Sequence, residues 1–505
     1  MDFVAGNFAL RARVRRKPLV VYLAAALMAT SSPNTCAANL PVTSCTDDGS
    51  PGTLRSVIAG AQAGDVVDMT HLACGLITLT RGPIDTSLFG TGLIGDLTLT
   101  GPGRNALTIS AGGRSAVFSI GQPASYGTTF TVRDLTIAHG SNYAAPACMD
   151  VMGGDLVLDD VTLVDCHATQ ASHRRGGGAI GVWGNLFLTD STISDSSVTA
   201  VGQSTANGGG AWAIEATLVR STISGCSAIA NSPGPYEKYR TSGGGVYAYS
   251  YLTIIDSTIA GNSAAVTAAG DDAIGGGAAS RWGLQVSGST LSGNNVDGNG
   301  GGLSFSPPSF PPRPDSLFGT PTISNSTFAG NNAEAGSAIY SVGGLDLMND
   351  TIASNTTTLG GAILLFLTGT PIDPYSLHLY STIVANNATG DNPTHAADIA
   401  VDPSLPQTVI GSNNLVGAAD SVIVLPPDTL DGDPLLLPLA GNGGPTLTMA
   451  LASGSPAIGG GANPDHLDTD QRGSPWVRTF GSAPDIGAYE AQPPPDPIFA
   501  NGFDP

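Results

Sequence analysis

The sequence is short of basic residues. It has 19 lysines and arginines against 40 aspartates and glutamates, and its formal net charge is −21. Binding to nucleic acid or to anionic lipid depends on contacts between Lys or Arg and phosphate groups. The composition therefore argues against a nucleic-acid partner and favours an extracellular protein. We expect no organic cofactor, and structural calcium on such an acidic surface stays an open alternative.

The chain also lacks an obvious transmembrane segment. The apolar run LVVYLAAALMA at residues 19–29 is too short to span a bilayer. It follows a basic segment and precedes small residues, in the order that is typical of a cleaved export signal. We therefore expect residues 1–38 to be a signal peptide that is cut after about Ala38, with an uncleaved N-terminal anchor as the alternative. Its removal takes away five basic residues and one acid, so 14 basic and 39 acidic residues remain, a balance of −25.

Cysteine is scarce, and its spacing contains no CxxC pair. This pattern argues against a zinc site, whereas export would allow disulfides. Five cysteines follow residue 38, so at least one is unpaired unless a bridge joins two chains. We expect Cys45 to pair with Cys74 and Cys148 to pair with Cys166, which leaves Cys226 as a buried free thiol.

Short strands repeat along most of the chain. A segment similar to Ser-Thr-Ile recurs about every 30 residues, and most copies follow glycines such as Gly208–Gly210. Alternation within a strand predicts that the threonine points outward and that the next residue, which is apolar, points inward. The aligned threonines are Thr136, Thr162, Thr192, Thr222, Thr258, Thr290, Thr327, Thr351 and Thr382. The aligned apolar residues include Ile193, Ile223, Ile259, Leu291, Phe328, Ile352 and Ile383.

A small polar residue follows each threonine by four positions. This column begins with Cys166, Ser196 and Cys226 and continues as asparagines, whose stacked side chains can hydrogen-bond from one repeat to the next. The asparagines are Asn262, Asn294, Asn331, Asn355 and Asn386. Short strands, corners and this period predict an all-β parallel β-helix whose turns are about 4.8 Å apart. A β-propeller is the main competitor, but its blades need about 40 to 50 residues.

The two ends of the chain differ from the repeats. Leu54, Val57, Ile58 and Ala61 have helical spacing and predict a short N-terminal capping helix that can end at Gly64. We expect the repeats to occupy residues 111–400, after an N-terminal cap and first turns at 39–110. Residues 401–491 lose the repeat and should cover the C-terminal end of the stack, and 492–505 form a Pro-rich tail.

Three motifs resemble parts of bacterial exported proteins. STFAGNNAEAGSAIY at residues 326–340 resembles the repeat of polymorphic outer-membrane proteins, and GTLRSVI with its following strands resembles the N-terminal domain named CSLREA. DPLLLPLAGNGG, DTDQRG and PDIGAYE resemble the C-terminal domain named choice-of-anchor Q. Together they imply a right-handed, single-stranded parallel β-helix of the pectate-lyase-like type. They also imply export to the cell surface or the medium, without a defined activity. The C-terminal segment IFANGFDP resembles a short tail of exported proteins of some Gram-negative bacteria.

Aromatic residues make up only 6% of the chain, yet several lie close together in the repeats. Tyr247, Tyr249 and Tyr251 alternate on one strand, and Trp212 and Trp282 lie in adjacent repeats. Aromatic faces stack against sugars, so we expect these five side chains to bind carbohydrate. The sequence YAYSYL is also good strand sequence, so a purely structural role stays open.

Catalytic motifs are weak by comparison. Asp271-Asp272 resembles one fragment of the polygalacturonase signature, but its companion motifs are absent, and the seven histidines are scattered, so no Ser-His-Asp set can be assigned. We predict no catalytic and no metal-binding residue. We expect a monomeric adhesion or interaction scaffold that binds polysaccharide or a host or neighbouring cell surface. A polysaccharide lyase or glycoside hydrolase, with a groove beside loops 231–242 and 306–320, is the alternative.

Overall fold

The structure is a computed structural model. It describes residues 37–86, 95–121, 127–143, 145–170, 176–201, 205–231, 239–267, 272–307, 320–366, 377–391, 393–402 and 407–493. Nearly all of the predicted signal peptide and of the predicted tail lie outside these residues. Over the described residues the chain is an all-β parallel β-helix with one short α-helix, which confirms the predicted fold class. No helix among these residues is long and apolar enough to cross a membrane.

Each turn of the β-helix passes through four strand positions, which we call faces A, B, C and D. In one turn, strand Ile180–Thr189 starts on face A and bends onto face B. Strand Thr192–Ser194 then lies on face C, and Ser197–Ala200 lies on face D. Strands at the same position in consecutive turns pair in parallel, as Thr192 does with Thr222.

Faces A and B share the two strands that bend between them, Ile180–Thr189 and Ala211–Val219. The other strands of face A are Ile84–Asp85, Phe118–Gly121, Met149–Met152, Val246–Ala248, Ala278–Ser280, Leu303–Phe305, Ile339–Val342, Ile363–Phe366 and Ile399–Asp402. Face B also contains Asn39–Pro41, Val66–Asp68, Leu97–Thr100, Tyr251–Ile255, Gly283–Ser287, Thr322–Ser324, Leu345–Met348, Leu377–Tyr380 and Ile410–Ser412.

Two strands bend from face B onto face C, Thr129–Ala138 and Asp155–Val164. The other strands of face C are Leu76–Thr78, Thr108–Ser110, Thr192–Ser194, Thr222–Ser224, Thr258–Ala260, Thr290–Ser292, Thr327–Ala329, Thr351–Ala353, Ile383–Val384 and Leu415–Val416. Face D consists of Ser141–Tyr143, His167–Gln170, Ser197–Ala200, Ser227–Ala230, Ser263–Val266, Asn295–Val296, Asn332–Ala335, Thr356–Gly360 and Ala388–Thr389. A small three-stranded sheet consists of Ala206–Asn207, Tyr239–Ser242 and Asp272–Ile274. A two-stranded sheet consists of Gln407–Thr408 and Ile423–Val424.

Glycine clusters join one turn to the next because the backbones approach closely there. Gly208 has a φ of +69°, a conformation that L side chains avoid. A Cβ on Gly209 would lie 2.1 Å from the carbonyl oxygen of Gly244. A side chain at Gly208 would therefore strain the main chain, and one at Gly209 would push consecutive turns apart.

A stack of apolar side chains fills the interior behind face C. Burying each such side chain contributes about 1.5 to 3 kcal/mol, so the stack is a main source of stability. Its members are paired in register and fully buried: Ile137, Leu163, Ile193, Ile223, Ile259, Leu291, Phe328, Ile352 and Val384.

The predicted alignment fails by one residue in the last copy of the repeat. Ile383 pairs with Thr351, and Val384 pairs with Ile352. A slip of one residue turns a side chain to the opposite side of a strand. Ile383 therefore points outward rather than into the core, and the prediction that Thr382 belongs to the outer threonine column is wrong.

The asparagine ladder runs inside the corner between faces C and D. The side-chain amide of Asn262 donates to Oδ1 of Asn294 at 3.0 Å, and Asn294 donates to Asn331 at 2.9 Å. Asn331 donates in turn to Asn355. Each Asn also donates to a main-chain carbonyl of an adjacent turn.

The ladder ends one residue later than the sequence predicts. Asn355 donates to Asn387, not to Asn386. Asn386 occupies the left-handed corner position with a φ of +59°, and its amide donates to Asp433. The prediction for Asn386 is wrong because the same one-residue slip moves the column to Asn387, which donates to Oδ1 of Asp398 at 2.7 Å.

The N-terminal turns contain the helix Leu54–Gly60, which buries Leu54 and Ile58. The helix ends at Gly60 rather than at Gly64, because Ala61 is already extended. Cys45 and Cys74 form a disulfide in this region. A second disulfide joins Cys148 and Cys166, and Cys226 is a buried free thiol.

The C-terminal region begins with further turns of the β-helix, and Ala419, Ile423 and Leu425 of this region pack against the main core. The turns continue beyond residue 400, through strands Ile410–Ser412 and Leu415–Val416. Residues 434–491, which we call the C-terminal strap, then lie along the outer side of face C. Gln471 contacts Thr290 and Thr327, and Ala488 donates to Thr351. The strap therefore spans several consecutive turns.

Candidate carbohydrate-binding face

Trp212 and Tyr247 lie side by side on the outer side of face A. They pair in register between Gly181 and Ala279. Both are largely buried, with 7% and 6% of their surface exposed, and they pack with Ala279. These two predicted binding residues therefore support other side chains from below, and they expose too little area to contact a ligand extensively themselves.

Trp183 is the exposed aromatic residue that rests on Trp212. Its ring centroid lies 5.0 Å from that of Trp212, with the planes inclined by 53°, and 41% of its surface is exposed. The register between the turns shifts between Val182 and Asn185. This irregularity sets Trp183 at the bend between faces A and B. Simple alternation does not predict its orientation, so sequence analysis missed it.

Tyr249 lies at the same bend two turns later. It is 44% exposed, and its main-chain N–H donates to the carbonyl oxygen of Ala213 in the preceding turn. The guanidinium carbon of Arg281 lies 5.4 Å from the centre of its ring, within the range of a cation–π contact. Arg281 therefore holds the ring in place.

Tyr251 and Trp282 are half-buried neighbours in the same region. The ring of Tyr251 lies over Gly283, where a Cβ would come within 2.1 Å of the ring. Burial, and then the negative charge of Glu215, raise the pKa of the Tyr251 hydroxyl. That hydroxyl therefore stays protonated and can donate a hydrogen bond. The main-chain N–H of Trp282 donates to the carbonyl oxygen of Ser250.

We call Trp183, Glu215, Tyr249, Tyr251 and Arg281 the aromatic corner. Its residues come from four consecutive turns, which are about 4.8 Å apart, and all lie where face A bends into face B. Flat rings, one carboxylate and one guanidinium on a rigid backbone can stack on sugar rings and hydrogen-bond to their hydroxyls.

Other charged residues lie away from the aromatic corner. Arg220 stands at the corner between faces B and C, where it makes two hydrogen bonds to Asp190, at 2.8 and 2.7 Å. These hydrogen bonds lower the pKa of Asp190. Arg220 is thus part of a surface ion pair. Asp271 lies outside the described residues, as does most of both loops that were expected to border a groove. Within the described ranges, no group of three or more His, Cys, Asp or Glu is placed to hold a metal ion.

The strap contains a buried network of charged side chains. Arg472 is held by Asp470, and its guanidinium lies 3.8 Å from the ring of Trp476 and 3.9 Å from that of Tyr489. Arg478 pairs with Glu490 at 3.0 Å. All four charged side chains are almost inaccessible, so the network fixes the strap and offers no surface to a ligand.

A serine–histidine–aspartate arrangement appears at the corner between faces C and D. Oγ of Ser197 lies 2.8 Å from Nδ1 of His167, and Nε2 of His167 lies 2.8 Å from Oδ1 of Asp165. Sequence analysis assigned no such set. His167 and Ser197 are paired neighbours in consecutive turns of face D, which their distance along the chain conceals.

Comparison with known proteins does not identify a family for this chain. No family model and no curated protein matches the chain, so the three family resemblances stay predictions. One solved structure is similar, the crystal structure of the pectate lyase Pel9A, with 13% identity and a TM-score of 0.37 over 90% of this chain and 96% of that chain. Values this low carry no information on activity, ligand or catalytic residues.

Proposed function

We propose that this protein is an exported β-helix scaffold that binds polysaccharide through the aromatic corner without cleaving it. The observation that supports this proposal is the exposure of Trp183 and Tyr249 at the same bend, each held by another side chain. An exposed large ring on a regular repeat has no role in the core, whereas a fixed ring loses little conformational freedom when a ligand binds.

The regular turns suit such a role because they keep the corner rigid. Main-chain bonds connect Tyr249 to Ala213 and Ser250 to Ile214, so the exposed rings cannot separate without breaking the stack. A long polysaccharide could contact several turns at once, and many weak contacts on one chain add up to useful affinity. We therefore expect low affinity for a short oligosaccharide and stronger retention on a polymer.

Export to the medium or the cell surface is part of the same proposal. The disulfides Cys45–Cys74 and Cys148–Cys166 support it, because such bonds persist mainly in oxidising compartments. The basic and apolar N-terminal segment supports it as well. The partner would then be a polysaccharide on a host or neighbouring cell or in the surrounding matrix.

A glycan screen combined with a turnover assay tests this function. The protein from residue 39 onward is passed over immobilised pectins, alginates, glycosaminoglycans and neutral polysaccharides, with and without calcium. Retention without release of new ends supports the scaffold. Unsaturated products or new reducing ends would instead establish the alternative, a polysaccharide lyase or glycoside hydrolase. Absence of retention on every polymer would reject carbohydrate binding.

A further inference from the structure

We propose that Ser197, His167 and Asp165 form a nucleophile, base and orienting acid that react with carboxylic esters. This site lies at the corner between faces C and D and does not depend on the aromatic corner or on polysaccharide binding. It would add an acyl-transfer activity to the outer surface of the β-helix.

The hydrogen bonds define the role of each group. An ionised carboxylate can only accept hydrogen bonds, so Nε2 of His167 carries the proton that it shares with Asp165. Nδ1 then has a free lone pair directed at the hydroxyl of Ser197, 2.8 Å away. A nucleophile in contact with a base, and a base oriented by a third group, is the arrangement that activates a serine.

The aspartate is fixed from three sides. Asp165 occupies a left-handed corner with a φ of +58°, and Cys166 after it is anchored by the disulfide to Cys148. On its other side, Nε2 of His139 lies 3.8 Å from Oδ2 of Asp165. His139 is held in turn by Ser110, whose hydroxyl lies 3.1 Å from Nδ1 of His139.

The set is accessible to a substrate. About half of the His167 and Asp165 side chains is exposed, 51% and 47%, and Ser197 is half-buried. The next serine in the same column, Ser227, pairs in register with Ser197 and is equally half-buried. Ser227 differs because its paired neighbours in the adjacent turns are Ser197 and Ser263, neither of which is a histidine, so it is a matched control.

The proposed ester hydrolysis involves only the three side chains, the ester and one water molecule. The oxygen of Ser197 attacks the ester carbonyl carbon, and its proton moves to Nδ1 of His167, whose positive charge Asp165 stabilises. The bond to the alkoxy group breaks, and the leaving alcohol takes that proton from His167. Water then attacks the acyl-serine with the same base, which releases the acid and restores Ser197.

Labelling with a fluorophosphonate tests the site in the full disulfide-bonded chain. We expect the label on the peptide that contains Ser197, and mass spectrometry identifies it. The substitution Ser197→Ala should abolish this label, and His167→Gln should slow it about 100-fold, in line with the typical contribution of a general base. The substitution Ser227→Ala should leave it unchanged. Hydrolysis of p-nitrophenyl acetate should follow the same order.

Two results would overturn the proposal. One is labelling of Ser197 no faster than that of Ser227. The other is an unchanged labelling rate in His167→Gln, which would make the hydrogen bonds merely structural. Thermal unfolding of each variant separates loss of reactivity from loss of fold, and Asp165→Asn provides a second variant that keeps the shape of the side chain.

Discussion

The ring of Trp183 lies 5.0 Å from the ring of Trp212, which belongs to the next turn of the β-helix. Trp212 is almost buried, whereas Trp183 is 41% exposed. One tryptophan thus supports the other and keeps it facing solvent. Such an arrangement departs from the regular turns, whose outer positions are mostly threonine, serine or alanine. We infer that function resides in these departures and that the repeat itself is architectural.

The asparagine ladder predicts a large effect from one polar substitution. Asn331→Ala should remove the acceptor of the Asn294 main-chain N–H and side-chain amide, at 3.0 and 2.9 Å, and also the donor to the Leu291 carbonyl. Buried groups without partners cost about 1 to 3 kcal/mol each. We expect a loss of several kcal/mol in the free energy of urea unfolding. Asn332→Ala, on an exposed neighbour, should change it by about 0.5 kcal/mol or less. Equal effects would contradict the ladder.

The strap should depend on one glutamine. The amide nitrogen of Gln471 lies 3.0 Å from Oγ1 of Thr290, and its carbonyl oxygen accepts from Thr327. Gln471→Ala should therefore destabilise the strap by about 1 to 3 kcal/mol. Limited proteolysis should cut residues 434–491 faster in this variant than in the wild-type protein.

The control for this prediction is the half-buried Gln492, whose side-chain amide donates one hydrogen bond to the carbonyl oxygen of Val477. Gln492→Ala should leave the rate of cleavage unchanged. Resistance of Gln471→Ala to proteolysis would show that other contacts hold the strap.

Asp350 should make stability depend on pH. It is fully buried in a column that is serine in most turns, and burial raises its pKa well above the ordinary value of 3.8. A carboxyl with a raised pKa favours the folded state when it is protonated. This contribution to the free energy of unfolding is fully present below pH 3.8 and is lost as the pH rises through the raised folded-state pKa. Asp350→Ser should therefore stabilise the protein more at pH 7.5 than at pH 4. Denaturant unfolding at both pH values checks this, with the exposed Asp431→Ser as control. A gain that does not vary with pH would refute it.

The contribution of the buried pair Arg478–Glu490 to the stability of the protein should also depend on pH. Burial raises the pKa of Glu490 to about 7, despite hydrogen bonds from Phe480 and Asp485 and the charge of Arg478. Its contribution to stability is present below pH 4.5 and is lost as the pH rises through 7. Arg478→Met should cost about 3 to 5 kcal/mol at pH 8, where the carboxylate is left alone.

At pH 5.5 the same substitution should cost less, because Glu490 is then protonated. Thermal unfolding at the two pH values measures the difference. Arg133→Met, in the exposed pair with Asp159, should cost about 1 kcal/mol or less at either pH. A penalty for Arg478→Met that is larger at pH 5.5 would contradict the assigned direction.

The fold could be predicted from the sequence because similar residue types recur at the same place in most turns. Threonine outside, an aliphatic residue inside and asparagine at the corner are local choices that each repeat makes independently. The slip at Ile383 could not be predicted in this way. Ile383 packs outward against Ile486 and Leu451 of the strap, and this contact joins residues far apart in the sequence.

The candidate sites were harder to predict for two different reasons. The exposed position of Trp183 depends on a register shift of the main chain, which no pattern of residues predicts. His167 and Ser197, by contrast, are separated by 30 residues, which is the length of one repeat. An alignment of the turns would have placed them side by side, so a signal was present in the sequence.

Carbohydrate binding through the aromatic corner is decided by the affinity of the Trp183→Ala variant for the polysaccharide that retains the wild-type protein. We predict a loss of affinity of about tenfold or more, or about 1.4 kcal/mol, with unchanged thermal unfolding. The control is Phe187→Ala, which removes an aromatic ring of similar exposure, 38%, from the same strand but from the outer side of face B. It should bind as the wild-type protein does. Unchanged binding by Trp183→Ala, or an equal loss in Phe187→Ala, would contradict binding through the aromatic corner.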